Sequence, residues 1–251
     1  MIGAVGSGVG VIVFAGPGLC GPELGSILDP YANPGTGLPA VDVASRDARS
    51  GKIVIANEQT NGGGQHGSVS VCTLSGGCTA NLKTPDMASV KGVALAPNGD
   101  CWATGYGLTK APPHRYLPML GYFAHCRGRG VAATGFQNGD FAGLDIDENG
   151  NLVSIDPSLG YLYIYSGCDP TCTQVGGPFQ LRKHGSPYTY GHVDASSKHF
   201  VVATLFAVGS MRLPQLDVYS YSTSGIRYEY SISNSITGNP DGAAFSPTSK
   251  E

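Results

Sequence analysis

The chain has 251 residues, a formal net charge of −3 and only 13% charged residues. This balance gives no electrostatic basis for binding nucleic acid or an anionic membrane surface. It contains no apolar run of about 18 residues, so no membrane-spanning helix is predicted. The high content of glycine (38) and proline (17) indicates many turns.

The first segment, "MIGAVGSGVGVIVFAG", predicts a pair of β-strands rather than a secretion signal. A signal peptide begins with a basic region, whereas the first basic residue here is Arg46 and five glycines interrupt the apolar run. A leader is the alternative interpretation. The natural protein is also expected to carry a leader that this sequence lacks.

Five segments along the chain begin alike and are spaced about 50 residues apart. They are "AVDVAS" at 40, "GVALAP" at 92, "GLDIDE" at 143, "HVDASS" at 192 and "GAAFSP" at 242. Each opening strand is followed by a polar turn, a second strand such as "IVIAN" or "CWATG", a third, often aromatic strand such as "YLYIYSGC", and a weaker fourth strand. Four short antiparallel strands in each repeat are typical of a β-propeller blade.

The two ends of the sequence complete one further repeat. The fifth opening strand starts at Gly242, and the strands that should follow it are found at the other terminus, within residues 1–39. We therefore predict an all-β, five-bladed β-propeller formed by residues 1–251 as one domain. Blades start near residues 40, 92, 143 and 192, and the fifth blade is shared by residues 242–251 and 1–39. Closing the ring in this way removes free sheet edges.

The segments "GVALAPNGDCWATG" and "GLDIDENGNLVSID" resemble the blade repeats of the NHL and SMP-30/gluconolactonase-like propellers. The resemblance extends over nearly the whole chain as a blade pattern. It implies two kinds of function, because such propellers include metal-dependent lactonases as well as proteins that only bind partners.

Six of the seven cysteines form three candidate pairs. "CTLSGGC" and "CDPTC" place Cys72 near Cys78 and Cys168 near Cys172, and Cys101 and Cys126 flank neighbouring predicted strands. Disulfides that link hairpins are the favoured interpretation, with free thiols or a metal as alternatives. Cys20 is left over. Three disulfides predict a secreted or periplasmic protein.

The stretch "DIDENGNLVSID" fits two interpretations. Asp145, Asp147, Asn149, Gly150 and Asp156 match the spacing of a calcium loop. Asn149-Gly150 is also a strong signal for a hairpin turn. The predicted flanking strands would separate Asp145 from Asp156, which favours the turn.

Candidate site residues lie in the loops expected to converge at one end of the propeller channel. Two of these loops, at 105–119 and 204–215, are long, and long loops are often functional. Aromatic rings and cationic side chains suit a sugar, a carboxylate or a peptide as ligand. The candidate residues of this kind are Tyr106, His114, Arg115, Tyr190 and Arg212. A divalent metal, either calcium, manganese or zinc, is the second kind of candidate. Its candidate ligands are Glu58, Asp156, His192 and Asp241.

Two functions are consistent with this pattern. The first is a monomeric protein that binds a small molecule, glycan or protein through the channel face. The second, implied by the resemblance, is a metal-dependent lactonase or esterase. The first is favoured because no complete set of catalytic residues can be read from the sequence.

Overall fold

A computed structural model gives the architecture. It describes residues 2–5, 10–14, 23–32, 40–45, 51–58, 66–84, 86–108, 115–137, 142–182, 190–194, 196–208 and 211–233. Cys20, His114, Asp241 and the segment 242–251 lie outside these residues.

The described strands form five antiparallel sheets in chain order. Sheet 1 contains β1 (Ile2–Val5), β2 (Gly10–Phe14) and β3 (Glu23–Leu28). Sheet 2 contains β4 (Ala40–Ser45), β5 (Ile53–Asn57), β6 (Ser68–Thr73) and β7 (Gly77–Lys83). Sheet 3 contains β8 (Met87–Leu95), β9 (Cys101–Leu108), β10 (Tyr116–Phe123) and β11 (Val131–Ala132).

The remaining two sheets follow the same order. Sheet 4 contains β12 (Ala142–Ile146), β13 (Leu152–Asp156), β14 (Tyr161–Ser166) and β15 (Thr173–Gln180). Sheet 5 contains β16 (Gly191–Val193), β17 (His199–Val208), β18 (Met211–Ser222) and β19 (Gly225–Ile232). The predicted four-strand repeat is thus confirmed in sheets 2 to 5, and sheet 1 shows three strands within the described residues.

Consecutive sheets lie side by side through their first strands, since β4, β8, β12 and β16 adjoin one another in that order. Glycine permits this close approach at Gly143, whose φ is +67°. A Cβ there would lie 2.8 Å from the backbone N of Gly191. We call β4, β8, β12 and β16 the inner strands. The upper end of the sheets is the end at which the second strands β5, β9, β13 and β17 terminate.

Hydrophobic cores fill the spaces between neighbouring sheets because alternate residues of each strand face opposite neighbours. Val54 and Val69 of sheet 2 pack with Val93 of sheet 3. Trp102 of sheet 3 packs with Leu144 of sheet 4, and its indole N donates a 2.7 Å hydrogen bond to the Cys168 carbonyl. Trp102 therefore packs between two neighbouring sheets.

All three predicted cysteine pairs are disulfides. Cys72–Cys78 links β6 to β7, and Cys101–Cys126 links the start of β9 to the 3₁₀ turn after β10. Cys168–Cys172 closes the connection between β14 and β15. Three disulfides indicate an extracellular or periplasmic protein. Within the described residues, no helix is long and apolar enough to cross a membrane.

Two loops predicted from the sequence are largely strands. Segment 204–215 belongs to the hairpin of β17 and β18, which pair as far as Val208 and Met211. Only residues 209 and 210 of the sequence lie between these strands. Likewise, Tyr106 lies within β9 and pairs with Pro118, so the connection predicted at 105–119 is shorter than expected. Arg212, Tyr106 and His192 therefore lie on strands rather than in loops.

Candidate functional site at the inner strands

The "DIDENG" stretch is the hairpin turn between β12 and β13. Asp147 N donates to the Asn151 carbonyl, and Gly150 N donates to the Asp147 carbonyl. The buried Asp147 carboxylate accepts the backbone N–H groups of Asn149 and Asn151 and the Tyr221 hydroxyl, at 2.8–3.0 Å. Its oxygens thus hold the turn and connect it to sheet 5.

The other two carboxylates of the candidate calcium loop accept hydrogen bonds from different groups. Asp145 accepts the backbone N–H of Val193, and Asp156 accepts the Ser158 hydroxyl and the backbone N–H of Leu159. Asp145 pairs with Val153, and Asp156 is three residues further along β13, about 10 Å at strand spacing. The hairpin turn is confirmed.

Replacing Asp147 with alanine is expected to lower the free energy of unfolding by about 2 kcal/mol, because the turn loses its acceptor and the buried Tyr221 hydroxyl loses its partner. Chemical denaturation of the purified variant measures this loss. The exposed Asn149→Ala should cost less than about 0.5 kcal/mol. A calcium-dependent melting temperature in the parent protein that disappears in Asp147→Ala would contradict the assignment.

A largely buried ion cluster connects the inner strands at their centre. His192 on β16 lies between two carboxylates. Its Nε2 is 3.7 Å from Asp42 Oδ1 on β4, and its Nδ1 is 3.4 Å from Asp145 Oδ2 on β12. Sheets 2 and 5, which are not consecutive, therefore meet at this histidine.

Each aspartate also binds the inner strand of the sheet that follows its own. Asp42 Oδ2 accepts the backbone N–H of Val93 at 2.9 Å, and Asp145 Oδ2 accepts that of Val193 at 3.0 Å. A charged residue inside the apolar openers "AVDVAS" and "GLDIDE" is the sequence signal for these contacts. Sequence reasoning did not assign Asp42 to any site, because its partners come from other sheets.

The two carboxylates determine the protonation state of His192. Burial by itself would lower the pKa of the imidazole, but the adjacent carboxylates of Asp145 and Asp42 raise it to about 10. The ring is therefore an imidazolium near neutral pH. Both ring nitrogens carry protons in this form, so His192 holds the two carboxylates together as a charge bridge.

The residues predicted to bind a metal have different partners in the structure. Glu58 forms an ion pair with Lys91 of β8, and Asp156 holds the turn that follows β13. Asp42 and Asp145 face different nitrogens of the His192 ring, whereas a metal ion is bound by one ring nitrogen. The described arrangement of these residues is that of ion pairs and turn caps. Asp241 lies outside the described residues.

One other group in the described part of the chain brings metal-ligating atoms together. Asp29, Cys72 and Cys78 offer one atom each within 4.8 Å of one another. The two sulfurs are bonded to each other, so they cannot act as thiolate ligands. Asp29 instead accepts the side-chain amide of Asn57 at 3.1 Å.

Four of the five residues predicted to bind a ligand can be placed. Tyr106 on β9 and the exposed Tyr116 on β10 form a nearly perpendicular pair, with ring centroids 6.3 Å apart and planes at 81°. Arg115 is exposed directly before β10. Tyr190 precedes β16 and is partly buried near Gly143. Arg212 pairs with Ala207 at the upper end, and His114 lies outside the described residues.

Several solved structures share this architecture. A luciferin-regenerating enzyme matches with a TM-score of 0.53 and 8% identity, over 90% of this chain and 69% of that chain. The Pan2 WD40 domain of Neurospora crassa matches with a TM-score of 0.52 and 11% identity, over 90% and 60%. The α-L-arabinanase of Penicillium chrysogenum, solved with arabinobiose, gives 0.51 and 12%, over 84% and 67%.

No protein-family model matches the sequence, and no curated protein matches it significantly. Identities of 8–12% establish the fold alone. WD40 repeats form propeller blades of four strands. The repeated sheets, their adjoining inner strands and these neighbours together show that the chain has a β-propeller fold.

Proposed function

We propose that the chain is a five-bladed β-propeller that binds a small molecule, glycan or protein through its upper end. Exposed apolar side chains that are concentrated on one surface mark an interaction site, whereas scattered ones do not. Of the nine that the described residues expose, six lie at upper-end strand termini or turns, and this concentration carries the proposal. They are Leu28, Tyr116, Leu117, Leu159, Leu213 and Ile232.

Two observations support a closed ring of five blades. His192 joins sheet 5 to sheet 2, which requires the sheets to curve around a common centre. In addition, β1 adjoins β4 in the same way as β5 adjoins β8, so β1 occupies the position of a second strand. The first-strand position of sheet 1 is the one that the repeat spacing assigns to residues 242–251.

Ligand binding at the upper end can be tested with small-molecule, glycan and peptide panels, followed by titration of the best ligand. Tyr106→Ala and Arg212→Ala are each expected to weaken binding at least about tenfold, because aromatic and arginine anchors dominate recognition. The melting temperature should change little. Val175→Ala removes an exposed apolar side chain from the outermost strand β15 and is the matched control. Unchanged affinity in both Tyr106→Ala and Arg212→Ala would contradict binding at this end.

A metal-dependent lactonase or esterase is the second candidate. One observation favours it: Glu58 and Asp156 both lie at the upper end, directly after β5 and at the finish of β13, while His192 lies on the inner strand β16. With Asp241 they would form the four-residue set expected from the sequence. A bound divalent ion would polarise a carbonyl oxygen of the substrate. Because His192 is a charge bridge, the binding function is better supported.

A further inference from the structure

The two faces of sheet 2 differ in their chemistry. Cross-strand neighbours point to the same side of a sheet, and alternate residues point to opposite sides. The face that carries Val54 belongs to the hydrophobic core shared with sheet 3. The opposite face, towards sheet 1, carries amide and hydroxyl groups in two successive cross-strand pairs. These pairs are Asn57 with Ser68, and Ser70 with Asn81.

A carboxylate from sheet 1 meets this polar face. Asp29 follows β3 directly and is 0% exposed. Its Oδ2 accepts the side-chain amide of Asn57 at 3.1 Å, and its Oδ1 accepts the backbone N–H of Tyr31 at 2.9 Å. Within the described residues, no lysine, arginine or histidine forms an ion pair with it. A buried carboxylate that lacks a cationic partner is costly, so Asp29 calls for a positive charge nearby.

Three buried oxygens of the same face form no hydrogen bond. They are Asn57 Oδ1, Ser68 Oγ and Asn81 Oδ1. Asn57 is 0% and Ser68 3% exposed. Asn57 lies opposite Ser68, and its amide also donates at 2.7 Å to Ser70, which lies opposite Asn81. The three oxygens therefore belong to neighbouring side chains beside one carboxylate. Buried polar groups in folded proteins nearly always have a partner, so the set indicates a bound species.

The chemistry of these atoms selects the class of ligand. Two of the three oxygens are amide oxygens, which accept hydrogen bonds or coordinate cations and repel anions. Sites made only of oxygen ligands suit hard cations. One carboxylate balances one positive charge, whereas a divalent ion would leave the buried site with a net charge, at a cost in free energy. The set therefore fits a monovalent cation.

We propose that sheets 1 and 2 bind one monovalent alkali cation between them. Its ligands are Asp29, Asn57, Ser68 and Asn81. Sodium is the expected ion, because the three disulfides indicate an extracellular or periplasmic protein. The ion neutralises the buried carboxylate and joins the first sheet to the second. The inference goes beyond ligand binding at the upper end and does not depend on it.

The test compares thermal melts of the full chain in sodium chloride and in N-methylglucamine chloride at equal ionic strength. N-methylglucamine is too large to bind between packed sheets. Sodium should raise the melting temperature by at least about 2 °C, and the rise should saturate, because an ion that binds only the folded chain stabilises it by mass action. Asp29→Asn should abolish this sodium-dependent rise. Asp100→Asn is the matched control, since Asp100 is also buried and accepts hydrogen bonds in a turn, and it should keep the rise.

Ser68→Ala keeps the test decisive if Asp29→Asn does not fold. The Ser68 hydroxyl forms no hydrogen bond, so its removal should raise the melting temperature in N-methylglucamine chloride. The same change removes a ligand of the ion, so the sodium-dependent rise should fall by about half or more. Thr204→Val removes another buried hydroxyl that forms no hydrogen bond, on β17 of sheet 5, and should leave the sodium-dependent rise unchanged.

The NMR line width of sodium gives a direct readout of binding. The line should broaden with the parent protein and broaden less with Ser68→Ala. Equal melting of the parent protein in the two salts, with the same sodium line width for both proteins, would overturn the inference and assign ordered water to these oxygens. A sodium-dependent rise of the same size in Asp29→Asn or Ser68→Ala as in the parent would also contradict the site.

Discussion

Replacing His192 with alanine is expected to lower the free energy of unfolding by about 3 kcal/mol, because it leaves Asp42 and Asp145 facing each other without the imidazolium. For a chain of this size, that loss lowers the melting temperature by about 6–12 °C. Thermal and chemical denaturation near neutral pH measure it. His199→Ala is the matched control, since the His199 side chain is 41% exposed against 14% for His192 and also contacts a carboxylate, Asp194.

The control pair should cost less than about 1 kcal/mol because solvent screens it. A His192→Ala loss no larger than that of His199→Ala would show that the charge bridge contributes little. The double variant His192→Ala/Asp145→Asn gives a second check. It removes one of the two facing charges and should recover part of the lost stability.

The same bridge predicts how stability depends on pH. The pKa of His192 is about 10 in the folded chain, compared with 6.5 for an imidazole in the unfolded chain. A pKa raised on folding stabilises the folded state below the unfolded value, so the contribution is complete below about pH 6.5 and is lost as the pH rises to about 10. The difference in melting temperature between the parent protein and His192→Asn should shrink over this range. A constant difference would contradict the bridge.

Removal of residues 242–251 is expected to destabilise the chain by about 4 kcal/mol or more. In the proposed ring this segment is the first strand of the shared blade. Without it, β1 would present unpaired backbone groups, and the apolar residues of the segment would no longer be buried. Differential scanning calorimetry measures the loss. Removing only residues 249–251 is the control, because it retains the apolar part "GAAFSP". Equal melting of both truncated chains and the parent would contradict closure by this segment.

Much of the fold could be predicted because its signals are local. The repeat of about 50 residues follows from alternating strands and turns, and Asn149-Gly150 marks its own hairpin. The cysteine pairs follow from short separations across hairpins. The prediction of a loop over 204–215 was wrong, because composition does not show how far the two strands of a hairpin remain paired.

The site could be predicted only in part, because its contacts are not local. His192 was selected as a metal ligand from its residue type, but its role depends on Asp42 and Asp145, which come from two other sheets. Nothing in the order of the residues shows that β4 and β16 meet at the centre.

The charge bridge at His192 is tested most directly by the divalent metal content of the purified protein, measured by mass spectrometry together with melts with and without EDTA. His192 must lose a proton before it can bind a metal, and its two carboxylates oppose that loss. We therefore expect no stoichiometric ion and no effect of EDTA. One tightly held ion per chain, a melting temperature lowered by EDTA and loss of the ion in His192→Ala would contradict the charge bridge and establish the metal centre in its place.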